Sequence, residues 1–591
     1  MRGPVKVVDI ELSNPITDLA GLDRYLTVQA LVRLNGVPIG YTKAPLAAGR
    51  CDAATLAHLI VKNHSRMLVS ELWRNALLAG PSKSGMQLKD LVSQVARRSL
   101  DEGSVSLDHS GPLPLVTVAV CSRDRTEELA QCLEAIERLD YPNLDLLIVD
   151  NAPANDATER MAKSMHPKFR YVREPRPGLD WARNRAIIEA RGEIIAFTDD
   201  DVIVDQGWVS ALAAVFTQNP DVMAVTGLVV PYELETDAQI LFEMHGLGGF
   251  GRGFCRQWKR IVPGITLSWK DLGTWELGTG ANMSFRRTVF NKVGAFDPAL
   301  DVGTITNGGG DLEMFFRVLK EGHAFVYEPR AIVRHRHRRE YARLRKQLSD
   351  FGSVSCYYVS GALAYRDQRL EFLRLAWHNF RYCLPNLWAA LTNFSPFPAA
   401  LVWAEFMGGL LGLTRYPRSR KIAAEVALRF GPQNEPFTLE PHKFGQPKYP
   451  GGTAVRIVEL SHPIEPLNNV SDYSNVRVCV QRMGALLGYV DIVNTYQAVN
   501  RTRLVEALVD GLGSKLVNLG YALSESDRSP AAEPILLDWL MPAEPLRVPD
   551  LINEALGPGM PSDLGAVVFM CPRRIDSLAP MTQPVWKQPI S

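Results

Sequence analysis

A chain of 591 residues is too long for one hydrophobic core and, at ~150 residues per domain, implies three or four units. With 46% apolar and 22% charged residues it has the make-up of an ordinary globular protein, and a net charge of +1 gives no electrostatic reason to bind nucleic acid. Its eight scattered cysteines form no CxxC pair, which reads as reduced thiols in a cytosolic protein without a structural zinc site.

In chain order, Met1 leads straight into a strand-like pattern with no apolar leader. Alternation over Leu26–Leu34, a Gly turn and a helical stretch over Ala53–Leu78 predict a small α+β module in residues 1–80. Residues 81–112 read as a linker. From 113 to 345 strands and helices alternate. Strands are expected at Val116–Val120, Leu144–Val149, Phe169–Val172 and Ile194–Phe197. Helices are expected at Thr126–Leu139 (capped by Thr126), Asp156–Met165 and Leu179–Ala190. Such spacing implies a mostly parallel, doubly covered sheet of the α/β class.

Residues 346–445 form a helical extension that mixes aromatics with arginine, as at Arg369, Trp377, Phe380, Arg381, Trp388 and Trp403. Two readings stand: a subdomain packed on the core with solvated arginines, or a face for peripheral membrane contact. No window is apolar enough to span a bilayer, since the nearest, Phe397–Leu413, is broken by Glu405. Residues 450–525 then repeat the first module. Glu11-Leu12-Ser13-Asn14-Pro15-Ile16 returns as Glu459-Leu460-Ser461-His462-Pro463-Ile464, and Gly36, Gly40 and Leu56 return as Gly484, Gly488 and Leu504, always 448 positions later without a gap. The two copies are expected to pack together around the central domain. Residues 526–591 are a Pro-rich tail.

The triplet Asp199-Asp200-Asp201 follows the apolar run Ile194-Ile195-Ala196-Phe197. Adjacent carboxylates at the carboxyl end of a buried strand repel. They stay together when solvated or when a hard, oxygen-seeking cation neutralises them. A solvated acidic turn is the alternative for such a triplet taken alone.

Four elements stand in order around it: Cys121-Ser122-Arg123-Asp124-Arg125, Asp150-Asn151, Gly178-Leu179-Asp180-Trp181-Ala182-Arg183-Asn184, and Gly308-Gly309-Gly310-Asp311-Leu312-Glu313. This order resembles the family 2 glycosyltransferases, inverting enzymes with the GT-A fold, over roughly residues 113–345. The resemblance implies a nucleotide-sugar donor (UDP-, GDP- or dTDP-linked), a divalent cation (Mn2+ or Mg2+), and a glycan or lipid-linked acceptor, with polysaccharide assembly on the cytoplasmic side of a membrane as the setting. It assigns Ser122, Arg123, Asp150, Arg183, Asn184, Asp199 and Asp200 to the donor, Asp201 and His335 to the metal, Asn282 and Glu313 to the sugar and acceptor, and Asp311 to the general base. Asp311 also suits a helix N-cap, and His335 also suits a packed or solvated residue. The chain departs from the family at Gly310, where many members carry Glu. A nucleotide-sugar binding protein without turnover is therefore the second reading. A nucleotidyltransferase is the third, and it lacks the expected glycines in residues 121–125.

Overall fold

The structure is a computed structural model that describes residues 3–79, 113–245, 249–261, 267–352, 354–392, 397–431, 433, 449–494 and 496–521. The expected linker and the Pro-rich tail lie outside the described residues. The central domain is an α/β unit built on one mostly parallel sheet, as expected. Its sheet is built from β4 (Val116–Ser122), β5 (Leu144–Asn151), β6 (Arg170–Glu174), β7 (Ile194–Asp199), β8 (Val202–Val204), β9 (Val222–Pro231), β10 (Gln257–Lys259), β11 (Asn282–Arg286) and β12 (Ala324–His335). The order is β10-β12-β9-β11-β7-β4-β5-β6, with β8 beside β12. The pairs β4–β5, β4–β7, β5–β6 and β9–β12 are parallel, and β11 is antiparallel to both of its neighbours.

Continuous apolar strands such as Ile194–Phe197 need cover on both faces. One face is covered by α2 (Thr126–Ile136), α3 (Ala157–Met165) and α5 (Trp208–Gln218), through Leu129, Leu133, Met161, Trp208 and Leu212. The other is covered by α4 (Leu179–Glu189) and α7 (Gly310–Lys320), through Ala186, Ile187, Phe315 and Leu319. A further helix, α6 (Asp237–Met244), starts at a capping box made by Thr236 and Gln239. Thr126, expected as a cap, is instead the first residue of α2, and the N-cap position falls to Arg125, whose side chain is drawn to carboxylates across the turn. Asp311 is likewise not the cap of α7. Gly309, with φ of 95°, takes that position, and Asp311 sits in the first turn, where a negative charge suits the helix dipole.

Beyond β12 come α8 (Tyr341–Gly352), α9 (Ser355–Ala364), α10 (Arg369–Leu391) and α11 (Ala399–Phe430). Gly408 lets α11 cross α8 closely: a Cβ there would lie 1.9 Å from the Ser349 carbonyl oxygen. No helix among the described residues is long and apolar enough to cross a membrane.

The two ends of the chain fold alike. In the first, β1 (Val5–Glu11) runs parallel to β2 (Thr27–Leu34), which is antiparallel to β3 (Val37–Pro45), and α1 (Ala53–Ala79) follows. In the second, β13 (Tyr449–Glu459), β14 (Tyr473–Arg482), β15 (Ala485–Val493) and α12 (Arg501–Tyr521) repeat that pattern. The likeness reaches single hydrogen bonds. The Glu11 carboxylate accepts from the backbone N–H groups of Ser13, Asn35 and Gly36, and Glu459 does the same for Ser461, Met483 and Gly484. Asn35 and Met483 both have positive φ, and the bulges at Val32/Arg33 and Val480/Gln481 coincide.

These ends share one core. Val28, Ile60 and Leu72 of the first belong to the same buried cluster as Val476, Leu504 and Leu508 of the second. Arg256 of the central domain joins them, pairing with Glu328 on β12 and Glu506 on α12. Leu508→Ala is expected to cost about 2–5 kcal/mol. Because the core is common, it is also expected to speed amide hydrogen exchange in α1 as well as α12, and acceleration confined to α12 would refute a common core.

Candidate active site and cation cluster

The parallel strands β4, β5 and β7 deliver their functional residues at their carboxyl ends, where α/β sheets build sites. Register places Cys121 beside Asp199 and Ser122 beside Asp150. The turn after β7 sends β8 back along β12, with Val202 opposite His335. Asp201 is thereby brought to the end of β12, and its carbonyl accepts the Arg336 N–H at 3.1 Å.

The triplet divides its work. Asp200 is buried and turned toward β4: Ser122 Oγ donates to Oδ2 at 2.7 Å, and Arg125 Nη1 to Oδ1 at 2.5 Å. Asp201 receives Arg125 Nη2 at 3.0 Å and lies 3.4 Å from both Arg338 Nη1 and His335 Nε2. Asp199, Asp201 and His335 each bring one ligand atom to a common point, all within 4.8 Å of one another. Two carboxylate oxygens and one imidazole nitrogen form a donor set that fits Mn2+ or Mg2+.

Electrostatics separate the three acids. Burial, with repulsion from Asp201 added, pushes Asp199 up to about 7. Burial also raises Asp200, to about 6. Burial opposes charge on Asp201 too, but His335, Arg125 and Arg338 outweigh it and hold that carboxyl below its usual value. His335 is pushed down to about 4 by burial, so its ring is neutral at pH 7 and keeps a lone pair.

A relay stands behind His335. Its Nδ1 is 3.1 Å from Nδ1 of His337, whose Nε2 is 2.8 Å from Glu243 Oε1 on α6. The tautomers that leave His335 Nε2 open toward the cluster are His335 Nδ1–H donating to His337 and His337 Nε2–H donating to Glu243. A carboxylate behind a ligating imidazole fixes its tautomer and orientation. Phe250 and Phe242 pack the two rings.

A second acidic centre lies on the β11 side. Asp311 is partly buried. Its Oδ2 accepts the Gly280 N–H at 2.8 Å, and its Oδ1 the Leu312 N–H at 2.8 Å. Burial raises its affinity for a proton, Asp301 adds to this, and Arg183 opposes it. Arg183 is itself buried and ion-paired with Asp180 and Asp301. Burial works against its charge, but Asp301, Asp180, Asp199 and Asp311 keep it protonated.

The departure at Gly310 has a steric cause. A Cβ there would lie 2.1 Å from Asp180 Oδ2 and 3.0 Å from Asp301 Oδ2. The carboxylates of α4 and of the loop before α7 therefore fill the space an acidic side chain at position 310 would need. Asp150 closes the opposite wall: Tyr171 Oη donates to Oδ2 at 2.7 Å, while the buried Oδ1 has no hydrogen-bond partner among the described residues. Burial raises this carboxyl also.

Several expected residues are placed elsewhere. Asn282 is fully buried: its amide donates to the carbonyls of Leu228 and Ala331, and its oxygen accepts Trp208 Nε1–H. It ties sheet to helix and has no polar atom left for a sugar. Asn184 exchanges both of its amide hydrogen bonds with the Phe296 backbone, so it pins a loop. Glu313 points away from Asp311, pairing with Arg317 and accepting from Tyr365 Oη at 3.0 Å. Arg123 is exposed beside Asp124, off the triplet. The structure adds Arg125, Arg338, His337, Glu243 and Asp301 to the site. Arg125, two residues after Arg123 at the end of the first strand, and His337 and Arg338, in the basic run that follows His335, carry a sequence signal; Glu243 and Asp301 carry none.

Residues 117–294 match the glycosyl transferase family 2 profile. The chain is 26% identical over 235 residues to a glucosyl-dolichyl phosphate glucuronosyltransferase of Haloferax volcanii, covering 37% of this chain and 69% of that protein. It is 23% identical over 281 residues to a pre-mycofactocin glycosyltransferase of Mycobacterium tuberculosis, covering 47% of this chain and 53%, about half, of that relative. Among solved structures, a mannosyltransferase from Pyrobaculum calidifontis in complex with GDP-Man and Mn2+ aligns with 17% identity and a TM-score of 0.31, over 61% of this chain and 86% of that one.

Mn2+ titration followed by electron paramagnetic resonance tests the cluster directly. Asp201→Ala is expected to abolish binding. His337→Phe keeps the ring packing but breaks the relay, and it should weaken binding by about 10–100-fold. Unchanged affinity in both would remove the cation assignment.

Proposed function

With a glycosyl transferase family 2 domain at the centre of the chain as the premise, we propose a cation-dependent, inverting glycosyltransferase. It moves a sugar from a nucleoside-diphosphate donor (UDP-, GDP- or dTDP-linked) to a hydroxyl of a glycan or lipid-linked acceptor. The observation that carries this reading is the pair of acidic centres at one end of the sheet. One is a three-ligand cluster of Asp199, Asp201 and His335. The other is Asp311, a carboxylate whose proton affinity is raised by burial and by Asp301.

Each centre suits one half of the reaction. Breaking the bond to the anomeric carbon leaves negative charge on the diphosphate, and a bound Mn2+ or Mg2+ supplies Lewis-acid stabilisation of that charge. Arg125 and Arg338, already drawn to the same carboxylates, add positive charge beside it. The unpartnered Oδ1 of Asp150 is an acceptor for an N–H of the donor base, since a buried oxygen left unsatisfied costs about 1–3 kcal/mol. Asp311 takes the proton of the acceptor hydroxyl. A raised pKa makes it a stronger base, and the Gly280 N–H fixes the direction of its oxygen. Attack from its side, opposite the diphosphate, inverts the anomeric carbon. Gly310 does not argue for a protein without turnover, because Asp180 and Asp301 occupy the space of the missing acid.

The reading places the enzyme on the cytoplasmic face of a membrane, where lipid-linked acceptors are met. On α10, Leu370, Leu373, Trp377, Leu384, Trp388 and Leu391 are exposed at helical spacing, and Trp403, Leu410 and Leu411 are exposed on α11. Between Arg381 and Arg415 the one charged residue is Glu405, which pairs with His245. An uncharged aromatic face flanked by Arg374, Arg381, Arg415, Arg418 and Lys421 matches a bilayer interface carrying anionic lipid. Trp377→Glu with Trp388→Glu should lower co-sedimentation with phosphatidylglycerol vesicles while leaving donor hydrolysis intact. Equal recovery of wild type and variant with the vesicles would remove this face.

Asp311→Asn should bind the donor normally and lose about 10²–10⁴-fold in turnover. In wild type a raised Asp311 pKa keeps the base protonated at pH values where an ordinary Asp, with a pKa of about 3.9, is ionised. Turnover should therefore fall as pH drops through that raised value, with an acid limb above the usual carboxylate range that is absent from the residual rate of Asp311→Asn. Loss of donor binding along with turnover would move Asp311 out of the base role.

A further inference from the structure

The first module packs against the strands that carry two of the three cluster ligands. Its outer row of Asp9, Leu31 and Tyr41 meets the central domain. Leu31 is 1% exposed among Leu228, Val230, Tyr327 and Ile332, and Tyr41 meets Phe254 edge-on at 5.2 Å. Beside this apolar contact stand four charges in a ring. Arg33 Nη2 lies 2.8 Å from Asp205 Oδ2 and 3.4 Å from Asp9 Oδ2, and Arg334 pairs with the same two oxygens. The signs alternate, so each charge has two opposite neighbours. Asp9 and Arg33 come from the module, Asp205 and Arg334 from the central domain.

The two central-domain members sit on the segments that hold the cluster. Arg334 directly precedes His335 on β12, and Asp205 directly follows β8, which starts one residue after Asp201. The sheet alone fixes these segments poorly. β8 has three residues and pairs with β12 at Val202–His335, Ile203–Arg334 and Val204–Val333. β12 shifts register against β9 between Glu328 and Ile332, so the stretch ending at His335 lies beyond an irregularity. Successive strand residues point to opposite faces. Arg334 meets the module, while His335 turns to Asp201, with Nε2 3.4 Å from Oδ1. The ring therefore ties the end of β8 to the end of β12 from the side opposite the ligands. The module also holds the segment ahead of α6, the helix that carries Glu243. Val5 N–H donates to the Leu234 carbonyl at 2.8 Å, and Arg24 Nη2 and Tyr25 Oη donate to Glu235 Oε1 at 2.8 and 2.9 Å.

The second module is an internal comparison. It has the same fold, but Ile457 and Gln481 stand where the first has Asp9 and Arg33. It meets the central domain elsewhere, as at Glu506 with Arg256. The fold of the module therefore does not require these charges, and they go with the contact to the ligand-bearing strands. We infer that Arg33 and Asp9 are positioning residues for the cation cluster, setting the spacing of Asp201 and His335 through Asp205 and Arg334. The inference rests on the cation reading of that cluster.

Mn2+ titration of the full chain, read by electron paramagnetic resonance, tests this, with circular dichroism as the control for folding. Arg33→Gln introduces the residue that the second module has at Gln481, and it should weaken Mn2+ binding by about tenfold. Asp205→Asn should do the same. The double variant should bind no more weakly than either single one, because the two act through one contact. Both ion pairs of Arg33 use the same nitrogen, so one ammonium can stand in, and Arg33→Lys should recover most of the affinity. Leu508→Ala loosens the shared core without touching the ring, and while folded it should bind Mn2+ like wild type. Additive losses in the double variant, no recovery in Arg33→Lys, or an equal loss in Leu508→Ala would reduce the effect to general stability and overturn the inference. Equal, measurable affinity in wild type and Arg33→Gln would overturn it and leave the cation reading standing. A wild type that binds no Mn2+ would overturn the cation reading and this inference with it.

Discussion

The structure depends on accommodating too much negative charge in too small a space. Asp180, Asp199, Asp200, Asp201, Asp301 and Asp311 gather at one end of the sheet, most of them buried. Two like charges about 4 Å apart near a protein surface repel by roughly 4 kcal/mol. Each acid is therefore given its own answer. Asp200 takes Ser122 and Arg125, Asp201 takes Arg125, Arg338 and His335, and Asp180 with Asp301 shares the buried Arg183. Asp199 is left with its pKa near 7, in a place that favours a proton or a cation. Arg125, Arg183 and Arg338 are thus part of the site's charge balance.

Much of this was legible in the chain. The apolar runs at Val116–Val120 and Ile194–Phe197 announce buried strands, and the triplet directly after one of them places carboxylates at a strand's carboxyl end. What could not be read was side-chain direction. Arg183-Asn184 and Gly310-Asp311-Leu312-Glu313 lie on helices, where neighbours in sequence point to different sides. Arg183 and Asp311 face the acids, while Asn184 and Glu313 turn to Phe296 and Arg317. Asn282 failed for a related reason: on the inner strand β11 it is directed into the sheet's cover and bonds Trp208. His337 and Glu243 lie 94 positions apart, and only the packing of α6 against the end of β12 brings them together.

The position of Gly310 shows how a local departure can keep a site acidic. Read alone, glycine beside Asp311 suggests the loss of a neighbouring carboxylate. In three dimensions, Asp180 and Asp301 reach the same volume from α4 and the loop before α7, and only glycine leaves room for them. The charge near Asp311 is retained, and with it the push that raises its proton affinity. Asp301, supplied from the loop before α7, raises the proton affinity of Asp311, and Arg183 opposes that rise.

The terminal sheets carry this logic to the scale of modules. Residues 448 positions apart make the same hydrogen bonds at Glu11 and Glu459, so the backbone plan is common to both. Side chains facing the shared core remain apolar in both copies, as at Val28 and Val476, because the joint packing of α1 and α12 requires it. The outer faces are released from that requirement, and there the copies diverge: Asp9 against Ile457, Arg33 against Gln481. The first face sets Asp9 and Arg33 against Arg334 and Asp205 of the surface it covers. The second has Ile457 and Gln481 at those positions, and it places Arg477 and Asp491, which pair with each other, where the first has Gln29 and Lys43. The common fold therefore explains what the modules share, and the divergence of their outer faces records what each one meets.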